Sequence, residues 1–283
     1  MNPVLRKRTN RLALNGAAVI VILFAIFPVY WMVSTAFKVN AEIFTTDVVL
    51  FPSTFTLSHF EGIFTQGIGN TSLWIYLRNS TVVALGAVLF GSLTALLAAI
   101  AVARFQFRFR ASFLIMLLIV QMVPHEALLI PLFVMARNAE LTNRLLGLVI
   151  INIAFTLPFA VWMLRTFVAA VPRELEEAAA IDGASRFRTF VSILFPLVAP
   201  GLVAVSIFSF ITVWNEFVFA FTLMADESGY TMPVALRWFV AREGTDWGGV
   251  MATSTIMTIP VIIFFLLVQR RMVAGLVAGA VKG

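Results

Sequence analysis

The chain has 283 residues, 61% apolar and 12% charged, with a formal net charge of +6 and a mean hydropathy of +0.98. Soluble domains carry about 25% charged and about 45–50% apolar residues, so this composition excludes an ordinary soluble domain and points to a membrane protein. There is no cysteine, which excludes disulfides, thiol nucleophiles and thiolate metal ligands; the basic residues fall in separated short loops, which argues against nucleic-acid binding.

Six segments are predicted to span the bilayer as helices, the only form available to such segments in lipid, since a span needs about 20 apolar residues. Residues 12–37 form the first; their apolar run exceeds the roughly 7–15 residues of a signal-peptide core, so the span is retained. The loop from 38 to about 77 carries Pro52, several glycines and aromatics, and folds either as a small cap or along the membrane surface. Residues 79–103 form the second span and 111–136 the third. The third is predicted to kink near one end, where Pro124 and Pro131 flank His125 and the acid Glu126. Residues 145–167 form the fourth span, 193–225 the fifth with one acid, Glu216, and 247–269 the sixth. A loop at 172–196 joins the fourth and fifth, an outer loop at 226–246 carries Pro233 and Trp238, and 270–283 is a tail.

The predicted class is therefore an all-α polytopic membrane protein, one transmembrane domain over 1–283, with no visible internal repeat. With the N-terminus inside, fourteen Lys and Arg lie on the cytoplasmic side and six outside (Lys38, Arg78, Arg137, Arg144, Arg237 and Arg242). The positive-inside rule thus places both termini and the 172–196 loop in the cytoplasm.

Reactive chemistry is sparse. The three lysines, Lys7, Lys38 and Lys282, belong to no G-x-x-x-x-G-K-[ST] phosphate loop. His59 and His125 are far apart in sequence and make no H-E-x-x-H pair, and no serine sits in G-x-S-x-G. No catalytic or metal-binding residue is assigned, which leaves a membrane enzyme without a reactive cluster.

The 172–196 loop is the exception to a hydrocarbon-rich chain. Pro172 suits a helix start, and Glu174, Glu176 and Glu177 follow near the positive end of the helix dipole. Leu175, Ala178, Ala179 and Asp182 share one face at helical spacing. Gly183 fits a left-handed C-terminal turn, and Ser185 fits the N-cap of a second short helix running toward Ile193. Such a segment is either an ordinary solvated loop or a docking site for a soluble partner.

Glu177-Ala178-Ala179, Gly183, Ile193 and Pro196 resemble the EAA loop of permease subunits in binding-protein-dependent ABC importers. Three residues separate Ala179 from Gly183 and nine separate Gly183 from Ile193, as in that loop; Phe195 stands where leucine is usual. Pro172-Arg173-Glu174-Leu175-Glu176-Glu177, Ile181-Asp182-Gly183-Ala184-Ser185, Trp214-Asn215-Glu216-Phe217 and the tail from Gly275 to Gly283 are similar to the maltose-type carbohydrate branch.

The resemblance implies a multi-pass permease of a prokaryotic cell membrane, importing a sugar or sugar-like solute. It implies a second, non-identical permease subunit, a dimer of ATPase subunits that bind ATP and Mg, and an extracytoplasmic substrate-binding protein. This chain itself would hold no cofactor. It assigns Glu177, Ala178, Ala179, Asp182, Gly183, Ile193 and Pro196 to ATPase coupling. The tail residues Gly275, Gly279, Lys282 and Gly283 would contact the ATPases. Trp214, Asn215 and Glu216 form either a polar element of the sugar path, with Trp214 as a stacking platform, or an interhelical clamp or outer-interface group. The alternative function is a proton-coupled secondary transporter using Glu126 and Glu216, a class that would bring inverted repeats.

Overall fold

Helices make up most of the described residues, as a bilayer requires of backbone polar groups. The computed structural model describes residues 3–241 and 244–280, with side chains described for 14–240 and 244–269. In chain order the helices begin α1 (Pro3–Ala36), α2 (Asn40–Ile43), α3 (Ser58–Thr65), α4 (Leu73–Arg104), α5 (Arg110–Met122), α6 (Leu129–Asn138) and α7 (Leu145–Ala170). They continue α8 (Arg173–Ile181), α9 (Arg186–Thr189), α10 (Phe195–Trp214), α11 (Val218–Leu223), α12 (Met232–Ala235) and α13 (Trp247–Ala280). A two-stranded antiparallel pair, β1 (Val240–Ala241) and β2 (Gly244–Thr245), precedes α13.

Among the described residues, five helical stretches are long and apolar enough to cross a membrane: Leu14–Ala36, Leu73–Arg104, Leu145–Ala170, Arg186–Trp214 and Trp247–Gln269. The bent pair formed by α5 and the segment His125–Asn138 makes a sixth if it is one span.

Contacts divide the chain into two units. The larger, Gly69–Ala235 with Ile259–Gly283, is built on α4, α7 and α10. Ser80, Ala84, Ala87, Gly91, Ala95, Ala99 and Ala103 recur along one buried face of α4. Small residues at this spacing let two backbones approach closely, which is how helices pack when lipid removes the hydrophobic driving force. Val149, Ile153 and Thr156 of α7 accordingly fill the space beside Gly86 and Gly91. The Phe167 ring lies over Gly201 of α10, where any side chain would collide with it. Toward one end of α4, the buried Asn79 donates to the carbonyls of Ser228 at 2.8 Å and Tyr230 at 2.9 Å. The Ser80 hydroxyl accepts from the Met232 amide at 2.8 Å.

Two expected spans need correction. The 111–136 segment is not a helix kinked near its end: it breaks between α5 and a 3-10 turn, His125–Leu128, with a bend of 94°. Pro124 lacks an N–H and pushes the preceding Val123 out of helical geometry, to φ −74° and ψ 123°. The 193–225 segment is likewise two helices, because α10 ends at Trp214 and α11 starts anew at Val218.

The smaller unit is Met1–Ile68 with Leu236–Thr258. After α1 the chain folds back as a cap on the end of that helix. Lys38, 2% exposed, donates from Nζ to the Val49 carbonyl at 2.6 Å and lies 4.2 Å from the Trp31 ring centroid. Burial holds its ammonium pKa below the usual lysine value. Tyr30 and Ser34 hydroxyls donate to the Leu50 carbonyl at 2.6 and 3.0 Å. Phe55 stacks on Phe37 with centroids 4.7 Å apart.

The cap is closed by Glu42, whose carboxylate accepts from the Ser53 hydroxyl and from the Ser53 and Thr54 amides at 3.2 and 3.0 Å. The Ser53 hydroxyl bond is the largest influence on this carboxyl and, with the two amides, holds its pKa below the usual glutamate value against the cost of burial. A carboxyl lowered on folding stabilises the fold above its unfolded pKa of about 4.3, and that stabilisation is lost as pH falls through the folded value. Hydrogen exchange at the Ser53 and Thr54 amides, corrected for intrinsic rates, should therefore lose protection below about pH 4. Glu42→Gln should reduce that protection already at neutral pH; full protection in this variant would contradict the closure.

Candidate functional site

The 172–196 segment leaves the membrane-spanning helices as a compact polar elbow. Pro172 occupies the N-cap position of α8, and Glu174 and Glu176 sit in its first turn, where the dipole favours acids. The helix ends in a Schellman motif: the Gly183 amide donates to Ala180 O at 3.1 Å and the Ala184 amide to Ala179 O at 2.9 Å. Gly183 has φ +77°, the left-handed conformation that this closure demands. Ser185 caps α9, its hydroxyl accepting from the Arg188 amide at 3.3 Å.

From α9 the chain enters α10 without a break. Phe190–Leu194 is a single π-helical turn holding Ile193, and Pro196 sits in the first turn of α10. A proline ring clashes with the carbonyl four residues back and removes an i→i−4 bond, and a widened π turn accommodates both defects. The elbow is thus covalently and helically continuous with the 29-residue stretch Arg186–Trp214.

A reciprocal clamp fixes the elbow to the end of α4. Arg104 Nε lies 2.7 Å from Glu176 Oε1, and its Nη2 donates to the Val171 carbonyl at 2.9 Å. Arg173 Nη2 returns to the last carbonyls of α4, those of Arg104 at 3.3 Å and Ala103 at 3.5 Å. The two side chains thereby satisfy helix-end acceptors that would otherwise be orphaned. In the sequence Arg104 counts only as an inside charge, and Arg173 as an inside charge and part of the loop motif, with no partner assigned to either. An ion pair between residues so distant in the chain leaves no spacing signature.

The clamp also resets the face of α8. Leu175, Ala178, Ala179 and Asp182 do not act as one surface: Ala179 is buried while the other three are exposed. Ala179 points inward together with Glu176, one turn apart, because the Glu176 pair sets the rotation of the helix. Large apolar groups are left outside. Ile181 is 87% exposed and Phe187 75% exposed, one on each side of the Gly183 turn. Glu177 and Asp182 are exposed beside them. Beneath α8 runs a groove of about 520 Å³ bounded by α4, α8 and the π turn.

The other expected residues have different settings. Trp214 is 2% exposed and stacks on Phe210, which stacks on Phe264 at 4.0 Å. Asn215 Nδ2 donates to the Ile211 carbonyl at 2.8 Å. The Glu216 carboxylate accepts from the amides of Phe219 at 2.6 Å and Ala220 at 3.0 Å, capping α11. Glu126 lies exposed in the 3-10 turn, and the adjacent His125 ring packs on Phe155, centroids 4.2 Å apart and planes tilted by 38°. Gly275 and Gly279 fall in the last turns of α13; Lys282 and Gly283 lie outside the described residues.

Comparison with known proteins places this architecture. The family described as binding-protein-dependent transport system inner membrane component matches residues 87–277. The chain is 39% identical over 269 residues to the diacetylchitobiose uptake system permease protein DasC of Streptomyces coelicolor, covering 95% of this chain and 96% of that protein. It is 35% identical over 266 residues to the trehalose transport system permease protein SugB of Mycobacterium tuberculosis, covering 93% and 95% respectively. A solved bacterial ABC transporter involved in the import of the acidic polysaccharide alginate shares the fold, with a TM-score of 0.77 at 20% identity over 94% of this chain and 97% of that one.

The clamp makes a measurable claim. Arg104 and Glu176 side chains are only 10% and 27% exposed, so removing one partner strands the other in a poorly solvated place. Glu176→Gln should lower stability by about 1–3 kcal/mol, read as earlier thermal unfolding of the purified membrane protein. The charge swap Arg104→Glu with Glu176→Arg should recover part of the loss. No change in the single variant would show that the pair is unimportant.

Proposed function

Because this chain belongs to the inner-membrane components of binding-protein-dependent transport systems, we propose that it is one of two non-identical permease subunits of an ATP-driven carbohydrate importer. The observation that carries the proposal is the elbow: an apolar knob of Ile181 and Phe187 on a rigid turn, continuous with α10. Relatives named for diacetylchitobiose and trehalose support a sugar or sugar-like solute.

In this reading both termini and the elbow face the cytoplasm, which the distribution of arginines favours. ATP and Mg bind to a dimer of ATPase subunits, and the energy of their closure reaches this chain through contact alone. Glu177, Ala178, Ala179, Asp182 and Gly183 form the docking helix and its turn. Ile193 and Pro196 join it to α10. An ATPase dimer that grips the knob more tightly in its ATP-bound state shifts the spans between inward- and outward-facing populations by that difference in affinity. A solute-binding protein delivers cargo on the opposite side. Trp214, Asn215 and Glu216 brace the turn between α10 and α11 that borders the solute path. The tail residues Gly275, Gly279, Lys282 and Gly283 add a second ATPase contact.

Two experiments test the proposal. The chain lacks cysteine, so Ile181→Cys and Phe187→Cys give single-site probes. Bifunctional cross-linking in the assembled transporter should join both positions to the ATPase, and a failure at both would reject the knob as the contact. Gly183 has open space around its α-carbon, so a side chain there is penalised only by the left-handed backbone. Gly183→Val should therefore drop solute-stimulated ATP hydrolysis toward the basal rate while leaving insertion intact, and Gly183→Asn, tolerated in this conformation, should retain coupling. Equal coupling in the valine variant would dismiss the turn as a functional element.

A further inference from the structure

The groove beneath α8 has two unlike ends. One end is walled by Leu97 and Ile100 of α4, a helix that crosses the membrane, and Leu97 is 57% exposed. The walls continue in Phe105, Phe190 and Leu194. The other end is rimmed by Arg104, Arg173 and Arg186, set against Glu176 and Glu177. Arg104 is committed to Glu176 and Arg173 to the α4 carbonyls. Arg186 is exposed and makes no ion pair among the described residues. Leu97 stands on a helix long and apolar enough to cross a membrane, so the apolar end of the groove suits an acyl chain.

A second observation adjoins it. The chain leaves the groove at Phe105 as Phe105-Gln106-Phe107-Arg108-Phe109-Arg110, with no acid. Phe105, Phe107 and Phe109 are 55%, 43% and 65% exposed. The Arg108 guanidinium lies 5.7 Å from the Phe109 ring centroid. Alternating aromatic and cationic side chains in a short connection suit the boundary between acyl chains and headgroups, where aromatic rings anchor and arginines reach phosphate. An occupant that matches both ends of the groove must be apolar over most of its length and anionic at its tip.

The geometry points to a bound anionic phospholipid, its acyl chain along Leu97 and Ile100 and its headgroup at Arg186, with Arg108 and Arg110 adding to the local field. Basic pockets between spanning helices at the cytoplasmic face recognise such headgroups, each cationic side chain contributing a similar increment. The lipid fills the space between α4 and the elbow, so it supports α8 from the membrane side while the opposite side of α8 stays open. This occupancy goes beyond the transport reading and does not depend on the identity of the cargo or the ATPase.

The test uses the full chain in phosphatidylcholine vesicles with a trace of spin-labelled phosphatidylglycerol or spin-labelled phosphatidylcholine. The immobilised fraction of each probe is read by electron spin resonance. The wild type should immobilise phosphatidylglycerol in preference to phosphatidylcholine. Arg186→Gln should cut that preference about fivefold, the effect of one headgroup cation, and Arg108→Gln should cut it further. Arg137→Gln, on the last turn of α6, should leave it unchanged. Equal immobilisation of the two probes by wild type overturns the site, as does full preference in the Arg186→Gln and Arg108→Gln double variant. Displacement of the probe by millimolar inorganic phosphate would assign the rim to a free anion and overturn the lipid. The readout involves neither ATP nor solute, so its failure is separate from a failure of the transporter assignment.

Discussion

At Arg104 the last turn of a spanning helix, the chain leaving α7 and the polar elbow meet on one residue. Its Nε pairs with Glu176, its Nη2 reaches the Val171 carbonyl, and its own carbonyl accepts from Arg173. Each bond answers a need that the fold creates. The end of α4 has unpaired carbonyls, α8 begins with a surplus of acid, and the carbonyl of the buried Val171 lies past the end of α7. The planar Arg104 guanidinium, with several fixed donors, meets the acid and the Val171 carbonyl at once, and the Arg173 guanidinium meets the α4 carbonyls. The rest of the elbow takes its orientation from this contact, because α8 has few other buried side chains to hold it.

The elbow then inherits rigidity from both ends. The Schellman closure at Gly183 fixes the angle between α8 and α9, and the π turn carries α9 into α10. On the membrane side, small residues of α4 and the Phe167 ring over Gly201 set the close approach of α4, α7 and α10. Cores packed this closely shift between discrete arrangements instead of deforming gradually. In the proposed transport reading, a push on Ile181 or Phe187 would be delivered to α10 rather than absorbed in the turn. The chain contains no P-loop, and its Glu216 accepts from two backbone amides at the start of α11.

What the sequence made legible was local. Pro172, the acids after it, Gly183 and Ser185 lie within one short stretch, and each acts on backbone groups a few residues away, so helix start, turn and cap could be read directly. The 94° break needed more than its proline: Pro124 announced a defect, but kink and break differ in how the following turn is stabilised, here by a 3-10 turn. For Trp214 the sequence leaves a stacking platform and an interhelical clamp both open, because burial depends on packing against residues such as Phe210 and Phe264 that no local pattern shows. The rotation of α8 was hidden for the same reason as the clamp. Periodicity identifies a face, but a partner from a distant helix decides which face turns inward.

The central claim is that elbow and α10 move as one body. Ile181 and Phe208, both exposed, can be replaced by cysteine in this cysteine-free chain and spin-labelled. Their separation is then measured by pulsed dipolar spectroscopy in the assembled transporter, without nucleotide and with ATP trapped. A single narrow distance, the same in both states, is the predicted result. A broad distribution, or a distance that changes with ATP, would mean that the turn at Gly183 or the π turn bends under load and that the lever is not rigid.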